Sequence, residues 1–326
     1  MRSSTWATHR RWLGGSSSSL APLRPSTSSR LAIGCSTMTD PTVTTVARTH
    51  NLPWYVSFRR HGVMIAASVV MIYPLLWLLV SSLRPSDEIF RNPSIWPLSF
   101  DISNYVNGWT ALQSPFGTYL VNSAIVTIGC VIGNLFSCAL AAYAFARMEF
   151  FAKRIMFGIM LVTIMIPIHV IIVPQYIMFA QMGMVNTFWP IILPKFLATD
   201  AFYIFLMVQF IRGIPRELDE AARIDGANHF RIFFQIILPL MMPALAATAV
   251  FTFIGSWNDF FSALIYLTKN EVRTVPVALR GFIDATGSSS FGPMFAMSIV
   301  SLVPVFFAFL FGQKYLVKGI ATTGLK

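Results

Sequence analysis

The chain has 326 residues, 55% of them hydrophobic and only 11% charged, with 29 phenylalanines and a net charge of +11. That balance excludes a soluble globular domain, in which roughly a quarter of residues are charged. The three cysteines, Cys35, Cys130 and Cys138, lack metal-ligand or redox spacing, which excludes a zinc site and a disulfide framework.

The first forty residues are rich in Ser, Thr and Arg and carry no acidic side chain before Asp40, so they cannot build a core. Two readings fit them: an organellar transit peptide, or a coding start placed upstream of Met38. With its lead-in this extension takes residues 1–58, and 59–326 form the membrane domain.

Six spans follow, each judged against the roughly 20 apolar residues that a helix needs to cross a bilayer. Residues 63–80 make the first and 118–146 the second. Between 155 and 194 there is no Asp, Glu, Lys or Arg. That stretch is too long for one crossing, so it holds the third helix, a turn near 182–187 and the start of a fourth that runs to about Arg212. Residues 242–266 make the fifth span and 294–317 the sixth. Pro167, Pro174 and Pro304 are expected to bend their helices. Of the outer connectors, 84–115 carries Pro85, Pro93, Pro97 and Pro115 with interfacial Trp96, Tyr105 and Trp109, while 269–293 reads as a long polar loop.

Basic residues set the orientation. With both termini in the cytoplasm, the inner side collects Arg48, Arg59, Arg60, Arg147, Lys153, Arg154, Arg212, Arg216, Arg223, Arg231, Lys314, Lys318 and Lys326. The outer side holds Arg84, Arg91, Lys269, Arg273 and Arg280. The positive-inside bias therefore predicts that the insert 213–240 is cytoplasmic, and it explains the basicity without nucleic acid.

That insert is the charge-rich interruption of the chain. Pro215 suits a first helical position, and Glu217, Asp219 and Glu220 place negative charge in the first turns, where the helix dipole favours it. Leu218, Ala221 and Ala222 share one face, and Glu217, Glu220 and Ile224 another. Gly226 supplies a turn. Phe230, Phe233, Phe234 and Ile237 then give a second helix an apolar stripe that ends at Pro239. A low-relief alanine pair beside a carboxylate suits close approach by a protein partner, although a helix pair lying on the membrane surface is the alternative.

Inside the spans, polar groups are costly and tend to face a cavity or a partner. Gly255, Ser256, Trp257, Asn258 and Asp259 are the candidates to line a solute path, the indole suiting the apolar face of a sugar ring. Helix packing is the competing reading. Lys195 and Asp200 interrupt the fourth span and can pair with each other; His169 and Cys130 read as packing.

The pattern of Glu220, Ala221, Ala222, Gly226, Ile236, Leu238 and Pro239, extended by Asp225 and Ala227, resembles the cytoplasmic loop of the membrane subunits of binding-protein-dependent ABC importers. The likeness covers about 59–326 and is closest to the smaller membrane subunit of maltose-importer-like carbohydrate permeases. Ala142 to Arg147, Ile166-Pro167, Val173-Pro174, Trp257-Asn258-Asp259-Phe260 and Gln313 to Gly319 agree with it. The resemblance implies an all-α membrane protein of six transmembrane helices, the type I importer permease fold.

It further implies that Glu217, Glu220, Ala221, Ala222, Asp225, Gly226, Leu238 and Pro239 form a coupling helix region docked on a cytoplasmic ATPase dimer. A second, homologous permease subunit, an extracytoplasmic binding protein, a sugar substrate and the surrounding membrane lipid complete the implied partners. ATP and Mg belong to the ATPase, for this chain has no G-x-x-x-x-G-K-[ST] loop. No cofactor, metal or catalytic residue is expected on the chain itself. Glycerol-3-phosphate import by the same mechanism, a secondary transporter and, more remotely, a membrane enzyme are the rivals.

Overall fold

A computed structural model of the chain describes residues 54–91, 99–284 and 290–323. The extension before 54, with Met38 and Cys35, lies outside the described residues, as do Pro93, Trp96 and Pro97. Every regular element among the described residues is helical. The principal ones are α1 (Trp54–Ser81), α2 (Ser103–Thr110), α3 (Phe116–Arg147), α4 (Lys153–Thr163), α5 (Ile168–Gln181), α6 (Trp189–Phe196) and α7 (Ala201–Arg212). They continue with α8 (Glu217–Ile224), α9 (His229–Leu240), α10 (Met242–Trp257), α11 (Phe261–Tyr266), α12 (Val275–Asp284) and α13 (Phe291–Thr323).

The 32-residue helix α3 is the axis of the fold, packing against α6, α7 and α10, while α13 packs on α10, α2 and α12. Its buried face repeats at three- and four-residue steps through Ser123, Thr127, Cys130, Asn134, Ser137 and Cys138 to Ala142. Helices approach each other closely in lipid when the contact residues are small, since van der Waals packing rather than water expulsion drives association there. Gly133 makes the point: a Cβ on it would lie 2.8 Å from the Phe196 ring. By contrast α1 is exposed along its apolar window, as a helix bathed in lipid can be.

Among the described residues, four helical stretches are long and apolar enough to cross a membrane, and the count reaches six when each of two bent pairs is taken as one span. The third span, expected to bend at Pro167, and the fifth, interrupted in sequence by Asn258 and Asp259, are each broken into separate helices. The third is broken after Thr163, with α4 and α5 bent by 100° at residues 164–167, where Pro167 starts α5. The fifth ends its first part at Trp257 and resumes as α11 at Phe261, so 242–266 is two helices. The fourth is interrupted between Phe196 and Ala201, where Ala198 takes a left-handed φ of 55°. The turn expected near 182–187 lies between α5 and α6, with Gly183 and Asn186 at positive φ.

The outer segment 269–293 is not simply a polar loop. It contains α12, whose Val275, Val277, Ala278 and Phe282 are buried. Asn122 on α3 holds it in place by donating to the carbonyls of Glu271 and Arg273, and Ser123 Oγ accepts from Val275 N. The loop's backbone polar groups are thus satisfied by side chains of α3, partners that the polar composition of the loop itself does not reveal.

Candidate functional site

The insert folds as two helices joined by a glycine. Helix α8 carries Glu217, Asp219 and Glu220 in its first turn and Arg223 in its last, the order the helix dipole favours. It begins at Glu217, not at Pro215: Arg216 is the capping residue, and the Ile214 carbonyl just before the proline accepts from Arg147 Nη2 at 2.7 Å. That contact holds the chain outside the helix. At the far end Gly226, with φ of 80°, donates to Arg223 O while Ala227 donates to Ala222 O. This is a Schellman stop, and it explains the spacing between the alanine pair and the glycine, because only glycine takes that left-handed position without penalty.

Asn228 caps α9, its side-chain oxygen accepting from Arg231 N at 2.9 Å. The helix then widens: Phe233–Ile237 form a π-helical turn, with Leu238 N donating to Phe233 O, and the helix continues through Leu240. The apolar stripe was expected to end at Pro239, whereas the proline sits inside α9. A proline in a regular helix would press its ring on the carbonyl four residues back and leave it unbonded; the wider turn just before it relieves the clash.

One side of this pair faces out. Glu217, Glu220, Ala221, Asp225 and Gly226 are exposed, and Ile224 is 87% exposed at the tip. Ala222 and Leu238 are half-buried against the core, and Pro239 is exposed. The other side is fastened to α3. Arg147 Nε lies 3.0 Å from Asp219 Oδ2, with the two side chains 3% and 8% exposed. Four residues earlier on the same face, the Tyr143 hydroxyl meets His229 Nδ1 at 3.3 Å, and its ring packs 5.2 Å from that of Phe233. The end of α3 thus grips both helices of the insert, through Asp219 on one and His229 on the other. A groove of about 360 Å³ runs along this junction, lined among others by Arg147, Arg216, Asp219, Glu220 and His229.

Asp219 and Arg147 were not singled out by the sequence as a pair. Only their position hints at it: Tyr143 and Arg147 are the polar residues that close an apolar span, four apart. Their partners are 86 and more than 70 positions away in sequence.

Within the spans, Asn134 Nδ2 donates to Asp200 Oδ2 at 2.6 Å and lies 3.2 Å from Thr252 Oγ1, and Lys195 Nζ pairs with Asp200 at 2.8 Å. Lys195 and Asp200 do pair, as their spacing allowed. Asp259 is half-buried, its Oδ1 capping α11 by accepting from Ser262 N at 3.0 Å. Asn258 is exposed and bonds back to Ile254 O, Gly255 faces open space, and Ser256 is half-buried. Trp257 is different: it is 4% exposed, its Nε1 donates to Ser301 O, and its ring stacks on Phe253. The expectation that its ring faces a sugar is corrected to helix packing, since both its polar edge and one face are already occupied. His169 packs edge-on to Phe261, and Cys130 Sγ bonds to Ile191 O.

Residues 133–322 match the model of the family described as "Binding-protein-dependent transport system inner membrane component". The chain is 35% identical to the probable ABC transporter permease protein YurM of Bacillus subtilis, over 84% of this chain and 90% of that one. It is 33% identical to the arabinooligosaccharides transport system permease protein AraQ of Halalkalibacterium halodurans, over 79% and 92%. With the diacetylchitobiose uptake system permease protein NgcG of Streptomyces coelicolor it shares 32% identity, over 78% and 84%. Its fold is similar to a chain of a solved bacterial ABC transporter involved in the import of the acidic polysaccharide alginate, with a TM-score of 0.70 at 23% identity, over 81% of this chain and 97% of that one.

Proposed function

Because the chain belongs to the family of binding-protein-dependent transport inner membrane components, we propose that it is the permease subunit through which an ATP-driven importer moves a sugar or oligosaccharide across the cytoplasmic membrane. It is a membrane transport subunit and not itself an ATPase. The relatives named for arabinooligosaccharide and diacetylchitobiose uptake support a saccharide over glycerol-3-phosphate.

The observation that carries the mechanism is the two-faced insert, exposed at Glu217, Glu220, Ala221 and Ile224 and anchored to α3 through Asp219 and His229. An ATPase dimer seated on the exposed face, with Glu220 at the contact, would move α8 and α9 as it closes on ATP and Mg. The anchors carry that displacement into α3, and α3 contacts the α6, α7 and α10 helices that surround the polar spans. Closely packed helices pass small displacements on as rigid-body motion. Gly255, Ser256, Asn258 and Asp259 border the solute path, alternately open to either side. A second permease subunit forms the other wall, and an outside binding protein delivers the solute.

In this reading the insert 213–240 and both termini are cytoplasmic, as the basic residues direct, and 59–326 is the transport domain behind a separate extension, 1–58. The test is reconstitution of the chain with its ATPase, second permease and binding protein in liposomes. ATP-dependent saccharide uptake, abolished by omitting the ATPase, is the expected result. Uptake by the chain without any ATPase would replace the importer reading with a secondary transporter.

A further inference from the structure

Arg154 lies in the first turn of α4 and Arg212 ends α7, and both are exposed, with no ion pair to either among the described residues. Helices α4 and α7 pack together, which brings the two arginines to one cavity of about 600 Å³ that Lys153 and Glu149 also line. Its volume lies within the range of about 300 to 1,000 Å³ that small-molecule sites occupy. Lys153 Nζ is already committed, 3.0 Å from Glu149 Oε1 and 2.7 Å from Met148 O. Three cations against one carboxylate leave the wall at +2, and that charge sits on Arg154 and Arg212.

The local structure sharpens this field. Helix α4 has no side-chain cap and no acidic residue in its first turn, so the positive end of its dipole adds to the two arginines. The Arg212 guanidinium lies 5.2 Å over the ring of Phe157, which packs on Phe145 and through it on Phe150 at the cavity wall. A side chain held in this way loses less freedom when it binds. A guanidinium also offers paired donors that match a phosphate, which a lysine does not.

The surroundings identify the anion. Ile155 lines the cavity, and with Ile159 and Val162 it makes an exposed stripe at i, i+4 and i+7 that runs from the charged rim along α4. Phe151 is 96% exposed at the same end of the span, where aromatic rings settle into the membrane interface. A free phosphate would use the charged rim alone. A phospholipid uses the rim for its phosphodiester and the stripe for an acyl chain, and basic recesses between transmembrane helices take such headgroups.

We propose that Arg154 and Arg212 form a site for one anionic phospholipid, its phosphodiester held by the two guanidiniums and an acyl chain laid along Ile155, Ile159 and Val162. Glu149 lines both this cavity and the groove beside α8, so the lipid sits next to the anchor of the insert. The site goes beyond the importer reading and belongs to the chain whether or not an ATPase is bound.

The experiment is native mass spectrometry of the full-length chain released from detergent, titrated with phosphatidylglycerol or with phosphatidylcholine of the same acyl chains. The first phosphatidylglycerol should bind at least tenfold tighter than phosphatidylcholine. Arg154→Gln and Arg212→Gln should each weaken it about fivefold, the share of one basic residue at a membrane surface. Ile159→Asn should weaken it severalfold with the arginines intact. Arg59→Gln, which removes an equal charge from the basic end of α1, should change it less than twofold. Melting temperatures check folding, and Arg154, which has no ring contact to lose, keeps the test decisive if Arg212→Gln loosens the Phe157 contact.

Equal affinity for the two lipids, an equal loss from Arg59→Gln, or no loss from Arg154→Gln overturns the site. Displacement of the lipid by equimolar inorganic phosphate assigns the arginines to a free anion and overturns it as well. The importer reading is tested separately by reconstituted uptake, so failure of ATP-driven uptake with lipid binding intact removes that reading and leaves the site standing.

Discussion

Arg147, the last residue of α3, and Asp219, in the first turn of α8, form an ion pair at 3.0 Å that is almost wholly shielded from solvent. Arg147 also donates to the Ile214 carbonyl, so one guanidinium holds both the approach to the insert and its first helix. This contact makes the exposed face of α8 an extension of α3 and not a loose loop.

Breaking that pair one partner at a time leaves a buried charge uncompensated, which costs about 3–5 kcal/mol. Arg147→Met and Asp219→Leu should each lower the melting temperature of the detergent-purified chain. The double substitution, with no stranded charge, should recover much of the loss. Thermal melts of the four proteins measure this coupling, and strictly additive losses would show that the two residues act separately.

Glu220 is exposed and donates only its backbone N–H, to Arg216 O, with no side-chain hydrogen bond or ion pair among those described, so Glu220→Lys should leave insertion and melting temperature unchanged. In the reconstituted importer the same change should cut ATP-driven uptake at least tenfold, equivalent to about 1.4 kcal/mol at the ATPase contact. Retention of ATPase in pull-downs together with full uptake would remove Glu220 from the interface.

Gly226 tests backbone conformation alone. A Cβ there would touch nothing within 4 Å, yet φ is 80°. Gly226→Ala should therefore destabilise the insert by about 1–2 kcal/mol through the left-handed backbone, with Gly226→Asn milder because asparagine tolerates that region. Hydrogen exchange at the Gly226 and Ala227 amides, which close the end of α8, reports the change directly; equal protection in all three proteins contradicts it.

Trp257 separates packing from solute contact. Trp257→Phe keeps a ring against Phe253 and loses the bond to Ser301 O. Hydrogen bonds between membrane helices average about 0.6 kcal/mol, so a small fall in melting temperature is expected with the KM for saccharide unchanged. A several-fold rise in KM with no change in melting temperature would return the indole to the solute path.

Hydropathy determined that this is a helical membrane protein, because a bilayer leaves a backbone few other ways to bond its polar groups. Local spacing likewise determined the insert: the acidic first turn, the glycine stop of α8 and the apolar stripe of α9 are all contained in contiguous residues. Proline was the least reliable local signal. Pro215 lies before the helix it was expected to start and Pro239 lies inside the one it was expected to end, because a carbonyl held by Arg147 and a widened turn decide the backbone there. Tertiary structure alone placed Asp219 on Arg147, His229 on Tyr143 and Asn134 on Asp200, whereas the pairing of Lys195 with Asp200 was open to their local spacing. It also turned Trp257 into the core and brought Arg154 and Arg212 to one cavity. In lipid every backbone group freed by a break and every buried charge must find its partner within the protein. Those partners sit on other helices, so the pairing is a property of the assembled bundle and is written in no single span.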